Sequence, residues 1–349
     1  MEHKDFTFLV PVHPFDYLNF LISNAPKNPL IVNNMVRAWK IINDDRYQNV
    51  CCGISGGSDS DLVLDICYKM DVWNKVTYYF IDPGLELKET KKHIRDLEIK
   101  YGITIHTYPA WQCGMTIPTA CKKYGQPFLS KTVSEYIYRL QLHDFKWEDK
   151  PFDTLIREYP NCKSALEWWC NRKKSDKNNI RNNKWLKEFL IAYPPAFRIS
   201  NKCCQKSKKD IAHKVERNFN LNVTGIRRAE GGARSSSYKN CFSEKSDTDQ
   251  YRPIFWYKKS DKEAYCSHYG LQHSKCYSSY GLNRTGCCGC PYSRNLEKEL
   301  DALKTHEPML YKAACSVFAD SYEYTRKYRE FCKNHNKKDE MISLYFLVN

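Results

Sequence analysis

The sequence predicts an α/β protein built on a parallel sheet, and three observations carry that expectation. An apolar run, Val50 to Ile54, leads into Ser55-Gly-Gly-Ser-Asp-Ser60 and then into amphipathic Asp61 to Met70, which reads as strand, tight loop and helix. A second β-rich run, Val76 to Asp82, is followed by a helical pattern over Lys88 to Tyr101. A third strand, Ile103 to Tyr108, completes a βαβαβ half. Strands alternating with helices in this way build parallel sheets, and ligands bind at the carboxyl ends of the strands.

The loop between the first strand and its helix carries the most chemistry. Gly56 and Gly57 let the backbone turn sharply and approach a ligand closely. Ser55, Ser58 and Ser60 add hydroxyl donors, and the amides that open the next helix point at whatever the loop encloses. Phosphate or pyrophosphate suits that geometry. The segment is not the phosphate loop ending in Gly-Lys-Ser/Thr, because no lysine follows the glycines. The bland alternative is an ordinary glycine-rich strand-to-helix turn.

The remaining chain is organised around this unit. Residues 1–32, with Pro11, Pro14, Pro26 and Pro29, read as an irregular segment, and a helix is expected from Asn33 to about Ile42. After the third strand, residues 110–202 read as a helical insertion, with helical apolar spacing in Val133 to Leu142 and Ala165 to Trp169. The sheet is expected to resume at Leu221 to Ile226 and near Ile254 to Tyr257. This places an α/β domain over residues 33–294, which the resemblance described below makes a nucleotide-binding one, and a helical C-terminal region over 295–349. There is no internal repeat.

At 349 residues with 42% apolar and 14% aromatic content, the chain is globular and can bury a substantial core. No run reaches the roughly 18 apolar residues that span a bilayer, so no membrane partner is expected. The first residues, Met1-Glu-His-Lys-Asp5, lack the features of a secretory signal, and the expected location is the cytoplasm. The net charge of +15 favours anionic partners, either a nucleotide or a nucleic-acid backbone. A lysine-rich solvated surface would give the same count. The imbalance is greatest in residues 172–187, where Arg172, Lys173, Lys174, Lys177, Arg181, Lys184 and Lys187 accompany one acid, Asp176. That stretch reads either as a docking surface or as a flexible loop.

Seventeen cysteines in a long chain of odd cysteine count argue for thiols, metal ligands or redox groups rather than a disulfide scaffold. Cys51, Cys52 and Cys67 fall where a buried strand and helix face are expected, and free cysteine packs well there. Cys203 and Cys204 are adjacent, and Cys287-Cys288-Gly289-Cys290 follows later. The spacing of Cys287 and Cys290 lets both thiolates meet one metal centre.

Ser-Gly-Gly-x-Asp-Ser after a strand resembles the pyrophosphate loop of the adenine nucleotide alpha hydrolases, which include ATP pyrophosphatases, thiolation enzymes and sulfonucleotide (PAPS) reductases. Ile81-Asp-Pro-Gly84 through Glu89-Thr90 is similar to an element of the PAPS reductase family, with Pro83 in place of the usual threonine. Thr224-Gly-Ile-Arg-Arg-Ala-Glu230 through Arg234 resembles the arginine element of that family, and Gly125-Gln-Pro-Phe-Leu-Ser-Lys131 resembles one found in bacterial and phage members. The Cys-Cys and Cys-x-x-Cys pairs, the second entered through Arg284-Thr-Gly, resemble the signature of members that carry a four-iron–four-sulfur cluster. The resemblance covers roughly residues 33–315.

That resemblance implies a Rossmann-like parallel sheet flanked by helices, with the helical insertion and a helical C-terminal cap. It implies an adenine nucleotide, ATP or PAPS, at Ser55, Gly56, Gly57, Ser58, Asp59, Ser60, Asp82, Gly84, Lys131, Arg227, Arg228 and Arg234, with Asp59 positioning magnesium or the loop itself. Arginine forks hold sulfate or phosphate in two-point geometry. It implies Cys203, Cys204, Cys287 and Cys290 as cluster ligands, with Cys288 an extra thiol. Zinc or unliganded thiols are the alternatives, although adjacent ligands crowd a small tetrahedral ion.

Two reactions follow. The first is sulfonucleotide reduction, in which a thiolate displaces the nucleotide and a thiol reductant completes the cycle. Family reductases use a cysteine in Glu-Cys-Gly-Leu-His; the nearest analogue here is Glu330-Phe-Cys332-Lys-Asn-His335, with Cys332 as the candidate nucleophile and Cys315 a weaker one. The second is ATP cleavage that adenylates DNA or RNA for sulfur insertion, with a cysteine desulfurase as sulfur donor. The complete Ser-Gly-Gly-x-Asp-Ser loop and the basic charge favour it. A catalytically silent nucleotide binder is the third reading, and loss of the loop serines and arginines would have favoured it.

Overall fold

The computed structural model of the chain describes residues 13–231 and 237–348. Two compact units emerge: one from residues 1–82, 88–109 and 211–286, the other from residues 83–87, 110–210 and 287–349. No helix among the described residues is long and apolar enough to cross a membrane.

The first unit holds the sheet. Its strands are β1 (Val50–Gly53), β2 (Val76–Asp82), β3 (Ile105–Pro109), β4 (Leu221–Val223), β5 (Phe242–Ser243) and β6 (Asp249–Tyr251). Their order is β3-β2-β1-β4-β6-β5, and every pairing is parallel except β5 with β6. Helices α1 (Pro14–Ser23), α2 (Pro29–Ile42), α3 (Ser58–Met70) and α4 (Lys88–Tyr101) belong to the same unit. This is the expected α/β class, a Rossmann-like sheet flanked by helices. Val50, Cys51 and Cys52 are fully buried, because a parallel strand covered on both faces reads as a continuous apolar run. Cys67 is equally buried, in the same core as Cys52.

The strand order has a consequence for binding. The chain runs β1, β2, β3 towards one edge and then returns to place β4 on the other side of β1. Val50 is in register with both Val76 of β2 and Leu221 of β4. At such a switch point the segments leaving two neighbouring strands diverge and open a crevice at their carboxyl ends. Ser55–Ser60 follows β1 there, and Thr224–Glu230 follows β4.

Two local expectations are corrected. Part of the segment expected to be irregular, residues 1–32, is helical: α1 begins at Pro14 and α2 at Pro29, four residues before the expected start. Both prolines occupy the first helical turn, where the missing N–H costs nothing and the fixed φ suits the helix. Asn28 caps α2 by accepting from the Leu30 and Ile31 amides. Residues 1–12 of that segment lie outside the described residues. The strand expected near Ile254 to Tyr257 is a turn, and the sheet instead uses β6, which ends three residues before Ile254. Pro253 cannot donate to a ladder, and Phe255 and Tyr257 close turns onto Arg252 and Ile254. Their apolar side chains are buried all the same.

The second unit is helical. Helices Lys131–Gln141, Lys163–Trp169 and Leu186–Ala192 pack with part of the long helix Ala319–Val348 around Phe128, Trp168, Trp169 and Phe189. Tyr324 and Tyr328 of that long helix complete the aromatic core. The backbone at Gln126 pairs with Ile199 in an isolated parallel bridge.

Candidate functional site

The loop after β1 is braced from within. Gly56 has φ +67°, and a Cβ there would lie 2.7 Å from Thr90 Cγ2, so the turn and its close approach to α4 both require glycine. The Ser60 hydroxyl accepts from the amides of Gly57 at 3.1 Å and Ser55 at 3.3 Å, and donates to the Gly57 carbonyl at 2.7 Å. Ser60 is buried and holds the loop's shape. Ser60→Ala is expected to destabilise the chain by about 1–3 kcal/mol, because partly buried amides lose their acceptor. A denaturant midpoint equal to that of the unsubstituted chain would show that the loop holds without the hydroxyl.

The mouth of the loop is crowded with charge. The Ser58 amide donates to the Tyr277 hydroxyl at 3.0 Å. Arg227 Nε donates to Asp59 Oδ2 at 2.8 Å, and Lys262 Nζ donates to Asp59 Oδ1 at 2.6 Å and to Ser58 Oγ. Burial, the largest influence, raises the Asp59 pKa, but its hydrogen bonds with Glu230, Lys262 and Arg227 outweigh it and hold the carboxyl below its usual range. The segment after β4 presses on the loop: a Cβ at Gly225 would lie 2.9 Å from the Asp59 carbonyl oxygen. Beside these groups opens a cavity of about 860 Å³ lined in part by Ser58, Arg227, Lys262, Cys266, His273 and Tyr277. Just inside α3, buried Asp61 places Oδ2 2.8 Å from His273 Nδ1 and 3.1 Å from His93 Nε2.

The other residues assigned to nucleotide binding divide between the two units. Asp82, at the end of β2, pairs with Lys91 at 2.6 Å. Exposed Arg228 lies over the Trp256 ring, with 5.5 Å between guanidinium carbon and ring centre. Arg234 lies outside the described residues. Gly84 and Lys131 belong to the second unit, where Gly84 has φ +81° and Lys131 opens helix Lys131–Gln141.

The four candidate cluster cysteines all belong to the second unit. Cys203 and Cys204 are hydrogen-bond neighbours; Cys203 also lies within electrostatic range of Cys290, and Cys204 of Cys287. A hydrogen bond with Cys121, then burial, pushes the Cys203 thiol up, and the bond with Cys203, then burial, does so for Cys204. Burial pushes Cys287 up to about 11, with the Lys208 ammonium opposing it and Glu86 assisting. Lys208 in turn pairs with buried Glu86 at 3.2 Å, and Glu86 bridges Cys287 through the backbone. Among the described residues, no three His, Cys, Asp or Glu side chains converge closely enough to hold one metal ion. The four cysteines come from two segments of one unit, and lysine cations near Cys204 and Cys287 oppose the effect of burial on their thiols.

Cys332 sits midway along helix Ala319–Val348, packed against the aromatic core, and its Sγ donates to the Lys184 carbonyl at 3.5 Å. Burial raises its pKa, opposed by a Tyr328 hydrogen bond and Lys184. In the basic stretch, Arg172 pairs with Asp153, Lys173 with Glu167, Arg181 with Asp176 and Lys187 with Asp149. Three of those four acids lie outside residues 172–187, so much of the charge seen in the sequence is neutralised locally.

Lys262, Tyr277, Asp61, His93 and His273 were not legible as site residues. Lys262 is one of 55 Lys and Arg residues and sits in no motif. For Asp61 and His93 a signal existed, since each places a polar side chain on a helix position that packing buries.

No family model matches the chain. Over 150 residues, 42% of its length, it is 30% identical to an uncharacterized protein of Methanocaldococcus jannaschii, of whose length that match spans 28%. In structure it is similar to the PAPS reductase of Candida auris in a phosphate complex, with TM-score 0.39 and 14% identity over 79% of this chain and 94% of that one. It is similar also to the U34-tRNA thiolase of Methanococcus maripaludis with its 4Fe–4S cluster, with TM-score 0.37 and 12% identity over 88% of this chain and 81% of that one. The NH3-dependent NAD synthetase of Campylobacter jejuni gives TM-score 0.32 and 14% identity over 85% and 92%.

Proposed function

We propose that this chain is a PAPS reductase-like enzyme that uses an adenine nucleotide for sulfur chemistry, with the nucleotide's phosphates at Ser55–Ser60. The observation that carries the reading is the loop's place at the switch point between β1 and β4, with Asp59 held there by Arg227. The Ser58 hydroxyl is a donor for the phosphates at the loop's mouth, while Ser60, which accepts from the Ser55 and Gly57 amides and from Ser55 Oγ, keeps the loop in shape around it. Arg227 reaches the loop through Asp59 and still has guanidinium donors to offer a phosphate. Each Asp59 oxygen carries a cation partner, so Asp59 acts here by arranging the loop and its cations.

Cys203, Cys204, Cys287 and Cys290 are the residues that would hold an iron–sulfur cluster, which supplies electron transfer or sulfur binding when present. Between the two reactions, ATP cleavage for sulfur insertion into nucleic acid draws support from Cys332. A nucleophile that attacks a sulfonucleotide must be ionised and able to move. This thiol is raised by burial and bonded to a backbone carbonyl within a packed helix.

Anaerobically purified protein is expected to contain iron and to absorb broadly near about 400 nm; iron-free, colourless protein would remove the cluster. Incubation with ATP and with the sulfonucleotide, separately, is expected to release pyrophosphate from ATP. Sulfite release that is abolished by Cys332→Ser would instead restore reduction. Nucleotide binding without either product would favour a silent binder.

A further inference from the structure

We infer that Lys262 is the phosphate-gripping cation that the Ser55–Ser60 loop itself lacks, delivered from helix Lys259–His268 across the cavity beside the loop. The inference rests on the phosphate-site reading above and adds a residue and a direction of approach to it.

The argument is one of donors and charge. A polyphosphate presents only acceptors, and it would arrive at a loop whose helix begins Ser58-Asp59-Ser60-Asp61, with two carboxylates in its first turn. Those carboxylates suit the positive end of the helix dipole but repel an anion. No cation lies within residues 55–60 to offset them. The structure supplies two from elsewhere, Arg227 and Lys262, with side chains 15% and 14% exposed. Lys262 is placed for this task because its ammonium already touches Ser58 Oγ at the loop's mouth, one hydrogen bond from where an anion on the loop would lie.

Its chemistry fits as well. An ammonium has three N–H donors, of which the contacts to Ser58 and Asp59 use two. Tyr277, which accepts from the Ser58 amide, keeps its own O–H to donate towards the same cavity. Asp59 is the carboxylate that holds both Lys262 and Arg227, and Glu230 is hydrogen-bonded to Asp59. A flexible ammonium can exchange Asp59 for a phosphate by rotating its stem, whereas the planar fork of Arg227 is better suited to stay. Lys259 and Glu263 at the cavity rim pair with each other at 3.6 Å and leave the local balance unchanged.

The test is binding of inorganic pyrophosphate and of ATP, by calorimetry, to the unsubstituted chain and to Lys262→Met, Lys262→Gln and Lys262→Arg. Loss of a charge-assisted grip is expected to weaken pyrophosphate binding about 10-fold or more in the Met and Gln variants, with Arg retaining most of the affinity. Thermal unfolding identifies variants that fold, and Lys262→Gln, which keeps polarity and most of the length, decides the matter if Lys262→Met does not fold. Pyrophosphate affinity unchanged in a folded Met or Gln variant would overturn the inference and leave Lys262 as a counter-ion of Asp59. Absence of ATP and pyrophosphate binding by the unsubstituted chain would overturn the phosphate-site reading itself, a distinguishable failure.

Discussion

Gly125→Ala is expected to destabilise the second unit by about 4 kcal/mol or more. Gly125 ends helix Ile117–Tyr124 with φ +106° and ψ +166°, a region essentially reserved for glycine. An added Cβ would lie 2.1 Å from the Arg198 carbonyl oxygen and 2.6 Å from its carbon. Those are backbone atoms, and the next residue locks them in place: the Gln126 amide donates to the Arg198 carbonyl at 2.8 Å, and the Ser200 amide donates to the Gln126 carbonyl at 2.8 Å. The methyl group therefore cannot be accommodated by turning a side chain. Gly102→Ala is the matched comparison, since φ is +62° there but nothing lies within 4 Å of the added atom. It is expected to cost only about 1 kcal/mol. Denaturant unfolding of both variants checks the contrast, and equal midpoints would mean that the close approach at Arg198 is not real.

Removing the Asp59 carboxylate comes next. Asp59→Ala leaves Arg227 and Lys262, both largely buried, without the group that holds them on the loop. Breaking a partly buried ion pair on one side costs about 3 kcal/mol, because the remaining charges lose their compensation. Pyrophosphate release from ATP is expected to fall with it, since the loop's cations are no longer arranged. The pH dependence follows from the lowered pKa of Asp59. A carboxyl with a folded pKa below its unfolded value, about 4, contributes stability that is present above that value and is lost as pH falls through the folded one. Stability of the unsubstituted chain is therefore expected to drop below about pH 4, and Asp59→Asn is expected to flatten part of that drop. Unfolding midpoints of the two chains between about pH 3 and 7 measure it. Parallel curves would show that Asp59 does not titrate as its partners require.

Much of the fold was legible because its causes are local. The run Val50 to Ile54, the glycines at 56 and 57 and the periodicity of Asp61 to Met70 each constrain only neighbouring residues, and β1, the loop and α3 follow. Pro14 and Pro29 punctuate the sequence like breaks, but proline in the first helical turn opens a helix. Ile254 to Tyr257 were read as a strand from their apolar side chains, although Pro253 beside them removes a ladder donor.

The site divided along the same line. Ser60 reads in the sequence as one more loop hydroxyl, and three-dimensional packing adds that its hydroxyl braces the loop. The excess of cations in residues 172–187 was real as composition, yet Asp149, Asp153 and Glu167 fold back to meet it.

The sequence by itself determined a parallel α/β sheet, a phosphate-suited loop after its first strand, and two cysteine pairs with ligand spacing. Those properties depend on backbone sterics and periodicity over a few residues, which any reader of the chain can follow. Only the tertiary structure decided which charges meet at the loop. Asp59 finds Arg227 across 168 positions and Lys262 across 203, and Cys203–Cys204 share a unit with Cys287–Cys290. Such pairings are set by strand order and helix docking, and no spacing within the chain encodes them.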